Sequence, residues 1–200
     1  MSVALIDYGA GNLHSVHNAL KAAGAPDFAV TADPELVLKA DRIVLPGVGA
    51  FAACARGLRD IDGMIEALEE RVLKQGAPFL GVCVGMQLMA TSGEEHGSHA
   101  GLGWLPGTVR PLAPASDIRV PHMGWNHVVP VGQHPLIEPG EAYFLHSFAF
   151  EGEHVLATTE HGGPVTAAIG RDNLAGVQFH PEKSQRYGIA LLERFLTWRP

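Results

Sequence analysis

Two short segments hold the residue types that nucleophilic chemistry needs. The first is Gly81-Val82-Cys83-Val84-Gly85, a cysteine with a glycine two residues away on either side. The apolar run Pro78-Phe79-Leu80-Gly81-Val82 leads into it, and Met86-Gln87-Leu88-Met89 can continue as helix. This is the form of a nucleophile elbow, in which the reactive side chain sits on a sharp strand-to-helix turn and small neighbours let the backbone bend. A thiol at a helix N-terminus also feels partial positive charge, which favours the attacking thiolate. The pentapeptide alone fits a small buried cysteine in a tight turn equally well. The second segment is Gly176-Val177-Gln178-Phe179-His180-Pro181-Glu182-Lys183-Ser184. Residues two apart in extended chain point to the same side, so His180 and Glu182 are expected to share a face, with Pro181 stiffening the backbone between them. A histidine beside a carboxylate can act as a base whose tautomer and charged form are held in place. Taken alone, His-Pro-Glu fits a strand-end histidine beside an exposed glutamate better than a catalytic pair.

These residues need a scaffold, and the chain is long enough to build one. Its 200 residues, 46% hydrophobic and 18% charged, suit one domain with a substantial core. The net charge of −7 and the lack of any Lys/Arg run argue against a nucleic-acid partner. No apolar run approaches the ~20 residues that cross a bilayer, and the N-terminus has no signal-peptide pattern. Two cysteines, Cys54 and Cys83, are too few for a disulfide framework, and free thiols in a cytoplasmic protein are expected.

The first half alternates strand-like and helix-like text. Val3–Ile6, Phe28–Val30, Arg42–Leu45 and Pro78–Val82 read as strands. Helices are expected from Asn12, with Leu13, Val16, Leu20 and Ala23 on one face up to Gly24, and from about Ala50 to Lys74. Such alternation implies parallel strands joined by helices. The second half reads as closely spaced strands, which favour antiparallel pairing: Thr108–Pro111, Ile118–Val120, His127–Val131, Tyr143–Phe150, His154–Thr159, Val165–Ile169 and Gly176–His180. Arg171-Asp172-Asn173 is expected to be a hairpin connection. Ser184–Trp198 closes the chain as a helix with Ile189, Leu192, Phe195 and Leu196 buried. The expected fold is one α/β domain over residues 1–200, with a central, mainly parallel sheet flanked by helices and an antiparallel extension.

Together the two segments carry more than either alone. Gly-Val-Cys-Val-Gly-Met-Gln followed far downstream by Gly-Val-Gln-Phe-His-Pro-Glu resembles the class I, triad-type glutamine amidotransferases, over essentially the whole chain. Asp7–Leu13, Pro46–Phe51, Pro121-His122-Met123-Gly124-Trp125-Asn126 and Tyr143–Phe148 narrow the resemblance to the glutaminase subunit of imidazole glycerol phosphate synthase. The resemblance implies a Cys83–His180–Glu182 triad that converts L-glutamine to glutamate and ammonia through a thioester. It implies an oxyanion segment over Pro46–Gly49, with Val48, Gly49 and Val84 supplying N–H donors. Gly47, Gln87, Glu95, His146, Ser147 and Phe148 match positions that bind glutamine, although the loop around Glu95 also fits a solvated one. Asn12, Pro121, Met123, Trp125, Tyr143 and Lys183 match an interface. The implied partner is a (β/α)8-barrel cyclase subunit, in a heterodimer that makes imidazole glycerol phosphate and aminoimidazole carboxamide ribonucleotide in histidine biosynthesis. No cofactor and no metal are implied.

Other signals point elsewhere. Gly9-Ala10-Gly11-Asn12-Leu13-His14 has a dinucleotide-loop beginning but His14 where the third glycine belongs, and is expected to be a tight turn. His14 with His17, and His96 with His99, lack a third ligand and are expected at the surface. Cys54 is expected to pack inside a helix. Two rival functions remain open here. One is a stand-alone hydrolase with an elbow cysteine. The other is a non-catalytic regulator of a cyclase, against which the intact set of three residues argues.

Overall fold

Short apolar runs separated by amphipathic stretches can bury both of their faces only if helices cover them, and this is how the first half is built. In a computed structural model, which describes residues 1–25, 27–113 and 118–200, the chain runs β1 (Ser2–Ile6), α1 (Leu13–Ala22), β2 (Asp27–Thr31), α2 (Pro34–Lys39), β3 (Arg42–Leu45) and α3 (Phe51–Arg59). It continues with α4 (Met64–Leu68), which extends to Lys74 in the wider π geometry, then β4 (Phe79–Val82) and α5 (Val84–Gln87). The second half is β5 (Ala90–Gly93), β6 (His99–Ala100), β7 (Leu105–Pro111), β8 (His122–Pro130), β9 (Gly140–His146), β10 (Phe148–Gly152), β11 (Val155–Glu160), β12 (Pro164–Arg171) and β13 (Leu174–Val177), closed by α6 (Gln185–Thr197).

A nine-stranded sheet has the order β2-β1-β3-β4-β13-β12-β11-β8-β9. Its first five strands are parallel and its last four antiparallel, so the expected α/β class with an antiparallel extension is what the chain adopts. Every residue of β3, β4 and β13 is buried, as the centre of a sheet covered on both faces requires. Asn12 Oδ1 accepts from Ser15 N–H at 3.4 Å to cap α1, and Gly24 ends that helix region with φ +83°.

Several boundaries differ from the sequence reading. A second sheet, β10-β7-β5-β6, was not expected. It takes β10, so the expected strand Tyr143–Phe150 breaks at Ser147 and its halves enter different sheets. Ile118–Val120 is irregular rather than extended in a ladder. The strand expected over Gly176–His180 stops at Val177, and the one expected at His127 already begins at His122. The Ala50–Lys74 helix is interrupted between Arg59 and Met64, where Gly63 takes φ +76°. α2 is not among the expected helices, although Asp33-Pro34-Glu35 marks it: Asp33 Oδ1 accepts from Glu35 N–H at 2.9 Å, and Pro34 opens the first turn. α6 buries Leu192, Phe195 and Leu196 as expected, with Ile189 only half-buried and Leu191 buried in addition.

Candidate active site

Cys83 stands between β4 and α5 at φ +55°, ψ −114°. A non-glycine residue held there is strained, and such strain persists only where surroundings over-determine it. The surroundings are visible. Cys83 N–H donates to Val177 O of β13 at 2.8 Å, and its carbonyl accepts from Met86 and Gln87. The flanking glycines are required by close approach. A Cβ on Gly81 would come 2.6 Å from Gly85 O, and one on Gly85 would run into the Leu45 carbonyl at the end of β3. The helix that follows is a single turn, Val84–Gln87, not the longer one expected through Met89, because the chain must turn into β5 at Ala90.

His180 arrives from the other side, three residues after β13 ends. Its ring Nδ1 lies 2.8 Å from Glu182 Oε1, with the two side chains 3% and 2% exposed. The pair forms as expected, but not by strand alternation. Pro181–Lys183 is a turn of 3-10 helix, and it is this turn that brings the carboxylate back to the ring. β9 straps the histidine in place: His180 N–H donates to Tyr143 O at 2.9 Å, Tyr143 N–H to Ser184 Oγ at 2.9 Å, and Ser184 Oγ–H to His180 O at 2.6 Å. Burial works against the imidazolium, but hydrogen bonding and charge from Cys83 and Glu182 outweigh it and raise His180 to about 9. The second carboxylate oxygen, Glu182 Oε2, is buried without a partner among the described residues.

Cys83 and His180 line one cavity of about 160 Å³ with Val48, Gly49, Val84, Gln87, Glu95, His146, Ser147, Phe148 and Lys183. All of the expected catalytic, oxyanion and glutamine positions except Gly47 and Glu182 thus converge on it, from segments almost a hundred residues apart, and Glu182 stands behind His180. A larger hollow of about 790 Å³, around Arg42 and the C-terminal residues, is lined by no cysteine and no histidine. Chemistry rather than size selects the site.

Several roles look different in three dimensions. Glu95 Oε2 accepts from Phe51 N–H at 2.6 Å, so this carboxylate caps α3 as well as facing the cavity. Both ring nitrogens of His146 are engaged inside the protein, by His122 and by Phe148 O. Gln87 donates inward to Phe148 O at 3.1 Å and to Gln178 Oε1 at 2.9 Å, which leaves its own oxygen as its acceptor toward the cavity. Gln178 is not among the expected site residues, yet it is fully buried and its amide nitrogen lies 3.7 Å from Cys83 Sγ. A polar residue in the all-apolar context of Gly176–Phe179 was the signal for it.

The Pro46–Gly49 segment is held on its carbonyls. Tyr8 O–H donates to Pro46 O at 2.7 Å, Val84 N–H to Gly47 O at 3.3 Å, and Cys54 S–H to Val48 O at 3.4 Å. Cys54 is buried within α3 as expected, with this bond in addition. The Gly47–Val48 peptide is trans, so its N–H is antiparallel to its C=O. With Gly47 O turned to the Val84 amide, Val48 N–H points away from that amide. Gly49, at φ +101°, supplies the left-handed residue that such a segment needs.

Beside the cavity, β8 and β9 pair Met123 with Leu145 and Trp125 with Tyr143 on one outward face. Met123, Trp125 and Leu145 are 65%, 48% and 37% exposed. Lys183 Nζ sits 5.9 Å over the Tyr143 ring at the same corner. Pro121 and Asn12 are also exposed.

The model of the family "Glutamine amidotransferase class-I" matches residues 4–198. The chain is 61% identical to the imidazole glycerol phosphate synthase subunit HisH of Zymomonas mobilis, covering all of this chain and 97% of that one. It is 52% identical to the HisH subunit of Rhodopseudomonas palustris, with both chains covered in full. A solved structure described as a glutamine amidotransferase superposes with TM-score 0.74 at 19% identity, covering 98% of this chain and 97% of that one, which speaks for the fold. The chain therefore belongs to the class-I glutamine amidotransferase family, among the HisH subunits of imidazole glycerol phosphate synthase.

Proposed function

We propose that this chain hydrolyses L-glutamine at Cys83, His180 and Glu182 and delivers the ammonia to a (β/α)8-barrel cyclase subunit. The observation that carries the reading is a strained cysteine facing the same cavity as a buried His–Glu pair at 2.8 Å. The Cys83 thiolate attacks the side-chain carboxamide carbon and forms a tetrahedral oxyanion. His180, holding the proton taken from the thiol, gives it to the departing ammonia as the C–N bond breaks. The glutamyl thioester remains. Water then attacks it, His180 accepts a proton from the water, and the C–S bond breaks to release glutamate. Glu182 holds the imidazole through Nδ1 and supports its charged form.

The oxyanion needs N–H donors, and here the segment's position matters. With Gly47 O on the Val84 amide, neither that amide nor Val48 N–H is available to the oxyanion. Rotation of the Gly47–Val48 peptide would free the first and present the second. Losing one such donor costs about 10²–10³ in rate, so the isolated chain is expected to be nearly silent. Docking of the cyclase on the Met123, Trp125, Tyr143 and Leu145 face, next to Lys183 and the His180 strap, is the proposed trigger. An exposed apolar patch of this kind suits a protein partner. Asn12 and Pro121 extend the same proposed interface. A cytoplasmic location is part of the same proposal, supported by the two free cysteines, Cys54 and Cys83.

The test is glutamate release from glutamine by the chain alone and with the cyclase and its nucleotide substrate. A large rise in the complex is expected, and Cys83→Ala should abolish hydrolysis while the complex still uses ammonium salts. Glutaminase activity persisting in a pure Cys83→Ala preparation would overturn the assignment.

A further inference from the structure

The interior between β8, β9 and the glutamine cavity is polar, and its hydrogen bonds have only one consistent direction. His122 and His146 face each other across the β8–β9 ladder, with His122 Nδ1 3.0 Å from His146 Nε2. His146 Nδ1 lies 2.9 Å from Phe148 O, which can only accept, so Nδ1 carries a proton. At the other end Asn126 settles its own orientation: its Oδ1 accepts from His127 N–H at 2.8 Å, and its Nδ2 donates to Glu160 O at 2.8 Å. The second Nδ2 hydrogen then points to His122 Nε2, 3.1 Å away, which must accept. Between these fixed ends only one arrangement joins every link: Asn126 donates to His122, His122 Nδ1–H donates to His146 Nε2, and His146 Nδ1–H donates to Phe148 O. A second proton on either ring would set N–H against N–H. His122 is sandwiched by Phe144 and His161, whose ring centroids lie 4.7 and 4.1 Å away, and His161 itself is bonded to Arg119 O.

The chain ends where the cavity is built. Phe148 O also takes the Gln87 amide, which in turn holds Gln178 beside Cys83 Sγ. We infer that His122 and Asn126 are positioning residues for the glutamine pocket: with His146 they form a one-way hydrogen-bond chain that sets the Phe148 carbonyl on which Gln87 is seated. Their immediate neighbours Met123 and Trp125 face outward, so the same strand carries the chain on one side and the apolar docking face on the other. Burial, with the neighbouring imidazoles, keeps both rings from taking a second proton until well below neutral pH. The inference rests on the glutaminase reading for its consequence, but not for its chemistry.

Imidazole ¹⁵N shifts of the full chain at pH 7 test the chemistry directly. Protonated Nδ1 and unprotonated Nε2 are expected for both His122 and His146; a proton on Nε2 of either ring would overturn the inference. In the cyclase complex, His122→Phe keeps the aromatic sandwich but removes the link. It is expected to raise KM for glutamine about five- to twentyfold with kcat within about threefold, from the unsatisfied buried nitrogen it leaves at the pocket wall. Asn126→Ala, which deletes only the first donor, is expected to move KM in the same direction and stands in if His122→Phe fails to fold. A KM unchanged within about twofold in a folded variant would also refute it. Absence of glutamine hydrolysis by the wild-type complex would instead sink the glutaminase reading, leaving the ¹⁵N result to decide this one.

Discussion

Replacing Glu182 by glutamine isolates the contribution of one charge. His180 rises from 6.5 to about 9, which at roughly 1.4 kcal/mol per tenfold change in proton affinity favours the imidazolium by about 3.5 kcal/mol. Cys83 and Glu182 supply that jointly, against burial. The amide of Glu182→Gln can turn its oxygen to His180 Nδ1 and keep the tautomer. Its NH₂ then occupies the position of Glu182 Oε2, which is buried and unpartnered among the described residues. The geometry survives, the charge does not, and one buried donor is stranded. His180 should therefore titrate about one unit or more below the wild type. The kcat for glutamine should fall by about 10²–10⁴, less than in His180→Ala, where no base remains. Stability should follow the same shift. A histidine raised in the folded state contributes stability below its unfolded pKa of about 6.5 and loses it as the pH climbs through about 9. Wild type should thus lose stability across that window, and the variant should lose less. The ¹⁵N titration of His180 and urea unfolding from pH 6 to 9 read both effects. An unchanged His180 midpoint in Glu182→Gln, or losses of kcat equal to those of His180→Ala, would refute the role assigned to the carboxylate.

Gly85→Ala places a Cβ against the Leu45 carbonyl, so it should distort the elbow and cut glutaminase activity by more than about 10²-fold, and it should also lower the midpoint of thermal unfolding. Wild-type activity in this variant would mean that the elbow is not as tight as described. Tyr8→Phe removes only the hydroxyl that donates to Pro46 O; leaving that buried carbonyl unpaired should cost about 1–3 kcal/mol in urea unfolding, and a loss near zero would show that the bond holds nothing. His146 is held low, at about 4, chiefly by burial. Its neutral form therefore stabilises the fold above pH 6.5, and this is lost as the pH falls toward 4, so His146→Gln should flatten the acid limb of the stability curve. Lys183→Ala should weaken activation by the cyclase without touching the chemistry of the triad; full activation in this variant would remove Lys183 from the switch.

What could be read along the chain was local. Gly-Val-Cys-Val-Gly states its own backbone requirement, because glycines two residues either side of a cysteine answer a sharp bend whatever surrounds it. The strands β1, β3 and β4 announce themselves as apolar runs too short for helices, and α1 by its spacing and its Asn12 cap. His-Pro-Glu could be suspected as a base and its carboxylate from residue type alone. How the two met could not. Strand alternation was the wrong mechanism, since the ring and the carboxylate meet through a turn at Pro181–Lys183, beyond the end of a β13 seated between β4 and β12. The split at Ser147 was equally invisible. Nothing in Tyr143–Phe150 says that its halves pair with β8 and β7, because a ladder is chosen by partners distant in sequence. The Gly47 carbonyl on the Val84 amide, the two engaged nitrogens of His146, and the exposure of Trp125 belong to the same class. Hydrogen-bond direction, burial and the orientation of a peptide depend on what lies across space, and only the folded chain decides that.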